Sequence, residues 1–294
     1  MIEFITGPLS HPFFAHALLA STGIAAACGL ASYFLVLRAQ VFTADALSHV
    51  AFTGAMAALA FGVDLRLGLF ATTIAIAVLM GSLGRRGLAD DVVIGNVFAW
   101  ILGLGVLFLA IYTADRSTAN GSAGITVLFG SIFGISGSAA MIAAVIGIGV
   151  CLLLVVIARP LLFSTLDPDV AGARRVPVRL LGLVFLALVG ASAAEASQVV
   201  GALMLLGLLA APGATALRLT SRPYPAIGLS LLIGVLDAWI GLALSYAIPV
   251  LPPSFTIVGV ATVAYAAAFA GTAVRNAMAD SRQRAPRPAA TIEV

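Results

Sequence analysis

The chain contains no lysine: all fifteen of its basic residues are arginine, set against twelve acids and three histidines in 294 residues. That excludes a P-loop, whose lysine must reach the nucleotide phosphates. Charged residues of both signs make up only 9% of the chain, where a soluble domain carries about a quarter, so an ordinary water-soluble fold is excluded too. Cysteine is scarce. Cys28 and Cys151 both fall inside apolar runs, where a thiol behaves as a small hydrophobe, and neither a disulfide framework nor a cysteine metal site is expected. Alternating segments of the kind that build membrane barrels are missing. So are His-Glu-x-x-His and Gly-x-Ser-x-Gly patterns, and no basic patch points to nucleic acid; an enzyme and a nucleic-acid binder are both disfavoured.

What is present is apolar surface. Hydrophobic residues make up 62% of the sequence, and the mean hydropathy is +1.14. They are gathered into successive runs of roughly 20 residues, the length that crosses about 30 Å of hydrocarbon as a helix. The fold class is therefore an all-α integral membrane protein, a polytopic bundle of about 8–9 transmembrane helices. The runs place helices at about 13–37, 44–62, 67–83, 92–112, 138–157, 180–195, 199–217, 226–248 and 255–274. Residues 125–135 are apolar but too short to span, and read as a re-entrant or packed half-helix. The N-terminus lacks the basic lead of a signal peptide, so the first run reads as a retained helix. The domain organisation is a transmembrane domain over 1–274, with a long polar loop at 158–179, and a disordered polar tail at 275–294.

Arginine sets the expected orientation. With the N-terminus outside and the C-terminus in the cytoplasm, only Arg66 and Arg116 lie outside, and the remaining arginines fall on the cytoplasmic side.

Few ionisable groups lie within the apolar runs, and each is a candidate. Asp45 and His49 stand at i and i+4 on one helical face. A charged side chain at the bilayer centre costs about 2.5–3.5 kcal/mol on insertion scales, so the two should face a polar interior. Carboxylate oxygen and imidazole nitrogen are ligands that divalent transition metals accept, and this spacing lets both reach one ion. The bland reading is a helix-capping Asp and a His bonded to a neighbouring helix. Asp237 lies within the eighth helix, as a pathway ligand, a proton carrier or a partner of a neighbouring Ser or Thr. Glu195, near the outer end of the sixth, either belongs to the pathway or faces external water. His11 and His16, at the outer end of the first helix, read as structural ahead of metal-receiving. Pro212 deletes a backbone hydrogen bond and Gly213 a side chain, so a kink and a close helix contact are expected there. Asp167 is placed to cap a short helix starting at Pro168.

At this point the sequence resembles a family: the membrane permeases of bacterial zinc and manganese ABC importers, of the ABC-3 type. Residues 42–54 match its pattern of an aromatic, then Gly-Asp, a small residue, Leu, a small residue and His. Val127-Leu128-Phe129-Gly130 is similar to its Tyr-Leu-Phe-Gly segment. Val199-Val200-Gly201-Ala202-Leu203 through Pro212-Gly213-Ala214-Thr215-Ala216 is similar to its Val-Gly-(small)-Leu and Pro-Ala-Ala-Thr-Ala helix. Leu166-Asp167-Pro168-Asp169, Val176-Pro177-Val178 and the stretch 251–258 add support. Two departures stand out: Thr43-Ala44 precedes the Asp where the family has Gly, and Gly213 replaces an Ala.

The resemblance implies a type II ABC-importer-like fold acting as a homodimer in the bacterial inner membrane. Its partners would be an ATP-binding subunit on a separate chain and an extracytoplasmic metal-binding protein. The cargo would be zinc or manganese, with iron also compatible; no cofactor would be bound permanently, and ATP would bind the partner. Asp45 and His49 take the role of metal contacts in the pathway. The loop holding Asp167, Pro168, Asp169, Arg174 and Arg175 becomes the segment that docks on the ATPase. The alternative reading is a proton-coupled secondary metal transporter, with Asp45, Glu195 and Asp237 as proton carriers.

Overall fold

The computed structural model describes residues 11–84, 89–115, 127–202 and 205–284. Its helices, in chain order, are α1 (Pro12–Leu37), α2 (Val41–Phe61), α3 (Leu65–Leu83), α4 (Asp91–Asp115), α5 (Gly137–Leu166), α6 (Pro168–Ala173), α7 (Val178–Val199), α8 (Leu205–Leu219), α9 (Pro223–Ala247) and α10 (Pro253–Arg284). Among the described residues eight of these are long and apolar enough to cross a membrane, all but α6 and α8.

The helix starts are set by local chemistry. Proline opens α1, α6 and α9, where its missing N–H would have no helical partner in any case. Asp64 caps α3 by accepting the N–H groups of Arg66 and Leu67 at 2.9 and 3.1 Å, and Ser136 caps α5 by accepting that of Ala139.

The bundle is built around α1, which packs against α5, α7, α8 and α9. Small residues allow the backbones to touch: a Cβ at Gly147 of α5 would lie 2.4 Å from the backbone of Gly23 in α1, the close approach that substitutes for hydrophobic driving force inside lipid. The outer surface is apolar. Val156 and Leu152 of α5 are 74% and 62% exposed, as the lipid face of a membrane bundle requires.

Three boundaries differ from the sequence expectation. First, α5 runs through Arg159 and Pro160 to Leu166, so the loop expected from residue 158 starts at 167. At 1.5 Å per residue this helix is about 45 Å long, well beyond the roughly 30 Å of hydrocarbon that a spanning helix must cross. Second, the seventh helix does not begin at Val199. Gly201 takes φ +90 and interrupts the run, and beyond it the described part of α8 covers Leu205–Leu219. The break packs on another: 127–129 are helical, Gly130 takes φ +75, and a 3-10 turn covers Ile132–Gly134. A Cβ on Gly130 would sit 2.4 Å from the carbonyl oxygen of Val199, and one on Gly201 2.4 Å from that of Leu128. Non-helical backbone inside a membrane bundle is tolerated where protein covers it, and Ile132, Val199, Val200 and Ala202 are all buried. Third, the expected tail is helical to Arg284; residues 285–294 lie outside the described residues.

Candidate functional site

The site is organised by α2. The turn between α1 and α2 is tight: Ala39 sits in the left-handed region at φ +54, and the N–H of Gln40 donates to the carbonyl of Leu35 at 2.8 Å. This sets the phase of α2. Thr43, Ser48 and Val50 are buried, whereas Asp45 and His49 share a half-buried face. The Ser48 hydroxyl donates to the Asp45 carbonyl at 2.6 Å, leaving the Asp45 carboxylate unengaged by its own helix. The His49 ring meets the edge of Phe98 on α4 with centroids 5.1 Å apart. Neither the Asp45 carboxylate nor the His49 ring takes a hydrogen bond among the described residues, so the capping role open to Asp45 is not adopted. One turn apart, they leave an oxygen and a nitrogen donor available to a cation. No group of three or more His, Cys, Asp and Glu forms among the described residues; one chain offers a pair of side-chain ligands here, and the remaining positions around an ion would fall to water or other donors.

Glu195 does not face water. It is 2% exposed, and its Oε1 accepts a hydrogen bond from Arg66 Nη2 at 3.0 Å, joining α7 to the start of α3. Its Oε2 has no partner among the described residues, nor does the amide nitrogen of Gln198 one turn on. The neighbouring Ala194 packs in one apolar cluster with Ala51, Ala55 and Met56 of α2. The ion pair therefore stands beside α2, one to two turns beyond His49 toward the Phe61 end.

Asp237 is elsewhere. Its helix α9 packs on α1, α8 and α10, whereas α2 packs mainly on α3, α4, α7 and α8. Asp237 is 3% exposed with Oδ2 unpartnered among the described residues. It lines a largely apolar cavity of about 510 Å³ between α9 and α10. The Ser or Thr partner weighed for it is not found: Thr256, on the same cavity, donates instead to the carbonyl of Pro253 at 2.9 Å.

The other sequence candidates are placed as follows. Asp167 caps α6, its Oδ1 accepting the Val170 N–H at 3.0 Å, with Pro168 at the first helical position. Asp169, Arg174 and Arg175 are exposed around this short helix, while Ala171 anchors it. Arg175 takes φ +62, which turns the chain back toward α7. Pro212 lies inside α8, and the close contact expected beside it is found: the Gly213 N–H donates to Ser32 Oγ of α1 at 2.8 Å. His11 packs on Phe13 and Tyr246, and His16 lies against Gly137. Sequence reasoning left out Arg66 as a site residue. Its signal was available, since it is one of two arginines expected outside and Glu195 ends a helix on that same side.

Comparison with known proteins places the whole chain. The manganese transport system membrane protein MntC of Halalkalibacterium halodurans is 30% identical over 265 residues, 89% of this chain and 88% of that one. A probable iron transport system membrane protein of Haemophilus influenzae is 29% identical over 248 residues, 84% of this chain and 89% of its own. Among solved structures, PsaBC from Streptococcus pneumoniae in complex with Fab matches in fold with a TM-score of 0.78 at 24% identity, covering 92% of this chain and 95% of that one. An inward-facing putative metal-chelate type ABC transporter matches at 0.67 and 14% identity, covering 88% and 86%. The model of the ABC 3 transport family matches residues 10–272, a span holding Asp45, His49 and every helix that packs around them, and the chain belongs to that family.

Proposed function

We propose that this chain is the membrane-spanning permease subunit of an ATP-driven importer of a divalent metal ion, manganese in the first instance, with Asp45 and His49 contacting the ion in transit. The observation that carries this reading is the α2 face, where a carboxylate and an imidazole one turn apart are left unbonded among the described residues, in a chain of this family. A transit site must release its ion, and two protein ligands with water filling the rest suit that need. Oxygen and imidazole donors without thiolate fit manganese and iron as well as zinc; the manganese and iron transport named for the relatives above favours those two.

In this reading the chain acts as a pair of copies, hydrolyses no ATP itself, and docks a separate ATPase on α6 through Asp169, Arg174 and Arg175. An extracytoplasmic binding protein delivers the ion; with the N-terminus outside, the five crossings α1 to α5 put α6 on the ATPase side, and the short α8 makes the further crossing that brings the C-terminus to the cytoplasm. Glu195 stands further along α2 toward the outer side and holds a carboxylate near the ion's route.

The test is radiolabelled manganese uptake into proteoliposomes holding the chain with its ATPase and binding protein. ATP-dependent accumulation supports the reading. Uptake indifferent to ATP and driven by a proton gradient overturns it in favour of a secondary transporter.

A further inference from the structure

Arg38, which follows the last residue of α1, is a half-buried cation with no anionic partner among the described residues. Its Nε and Nη1 are sealed from solvent and have no hydrogen-bond partner among the described residues. The guanidinium lies 5.3 Å from the ring centroid of Phe185, and burial pulls its pKa down to about 10, which leaves it charged at neutral pH. Two neighbours share its condition. Gln40 is 3% exposed, the Thr43 hydroxyl is fully buried, and neither the Gln40 amide atoms nor that hydroxyl has a partner among the described residues. A buried charge with open donors is unfavourable unless a counter-ion completes it.

Beside Arg38 lies a cavity of about 260 Å³, lined also by Ser164 and Thr165 at the end of α5 and by Leu37, Pro168 and Val178. The Ser164 and Thr165 hydroxyls both donate to the Leu161 carbonyl, at 2.9 and 2.6 Å. Both donors are thus spent on their own helix, and a ligand in the cavity would meet them only by displacing one of these bonds. The cavity lies at the C-terminal ends of the spanning helices α1 and α5.

We propose that Arg38 and this cavity form a binding site for a phosphate group, that of an anionic phospholipid seated between α1, α5 and α6. Arg38 Nη2, the guanidinium nitrogen that is not sealed and has no hydrogen-bond partner among the described residues, is the donor left to meet a phosphate oxygen, and basic pockets between spanning helices take anionic headgroups. Leu37, Pro168 and Val178 give the glycerol and first methylenes an apolar wall that a free phosphate ion would not use. The site is independent of the transported solute, so its failure and that of the transport reading are separable.

The test is native mass spectrometry of the full-length chain released from mixed micelles with equal phosphatidylglycerol and phosphatidylcholine, repeated with inorganic phosphate added. The wild type should retain phosphatidylglycerol over phosphatidylcholine by roughly fivefold, the ratio that one arginine at a lipid surface supplies. Arg38→Gln should abolish the preference and Arg38→Lys keep part of it. Should Arg38→Gln not fold, Thr165→Trp leaves Arg38 in place, fills the cavity and should abolish the preference equally. Equal retention of both lipids by the wild type, an undiminished preference in the variants, or thermal stabilisation by inorganic phosphate with no preference for phosphatidylglycerol would each overturn the proposal.

Discussion

Arg66 and Glu195, 129 residues apart in sequence, form an ion pair of 3.0 Å between α3 and α7, with the arginine 24% exposed and the glutamate 2%. The asymmetry decides what each substitution does. Removing Arg66 strands a carboxylate in the bundle, while removing Glu195 leaves a guanidinium that reaches water. Breaking a buried pair costs about 3–5 kcal/mol when the remaining charge cannot escape. Arg66→Met should therefore lower the melting temperature in detergent far more than Glu195→Gln, and Arg66→Met with Glu195→Gln should recover most of the loss. Equal losses from the two single changes would contradict this.

Among the described residues, the one polar or ring contact of His49 is its edge contact with Phe98, an interaction worth about 0.5–1.5 kcal/mol. His49→Ala should leave the fold and assembly intact while raising the metal concentration needed for half-maximal uptake. Size-exclusion profiles and an uptake titration read the two effects separately.

Asp167→Ala removes the cap of α6, a loss of about 1 kcal/mol confined to a six-residue helix. Stability should barely change. If α6 is the docking element, ATP-driven uptake should fall and the ATPase should lose its coupling to transport, measured as ATP hydrolysed per ion moved.

Asp237→Leu should preserve uptake and raise the melting temperature, because Oδ2 is buried without a partner in an apolar cavity and an apolar replacement removes the desolvation cost. Lost transport in a folded Asp237→Leu chain would return this residue to the pathway.

Much of the fold is legible in the sequence because apolar runs of spanning length end at visible punctuation. Arg38, Gly62 and Gly84 bound the first three helices within a few residues of their observed ends. Hydropathy does not register what breaks a helix without changing polarity. Val199-Val200-Gly201-Ala202 is apolar throughout, and the left-handed backbone of Gly201, packed against Gly130, interrupts the helix there. Nor does Pro160 end α5: one lost backbone bond is outweighed by the thirty-residue helix around it. Of the site, the Asp45–His49 spacing is readable directly from the helical period. The Arg66–Glu195 pair is not, because pairing between distant helices depends on packing.

The measurement that tests the central claim most directly is ATP-dependent manganese uptake by Asp45→Ala and wild-type chains, each reconstituted with the ATPase and binding protein. The account predicts that wild-type vesicles accumulate the ion, while Asp45→Ala vesicles, with the complex still assembled, do not. Undiminished uptake by Asp45→Ala would contradict it.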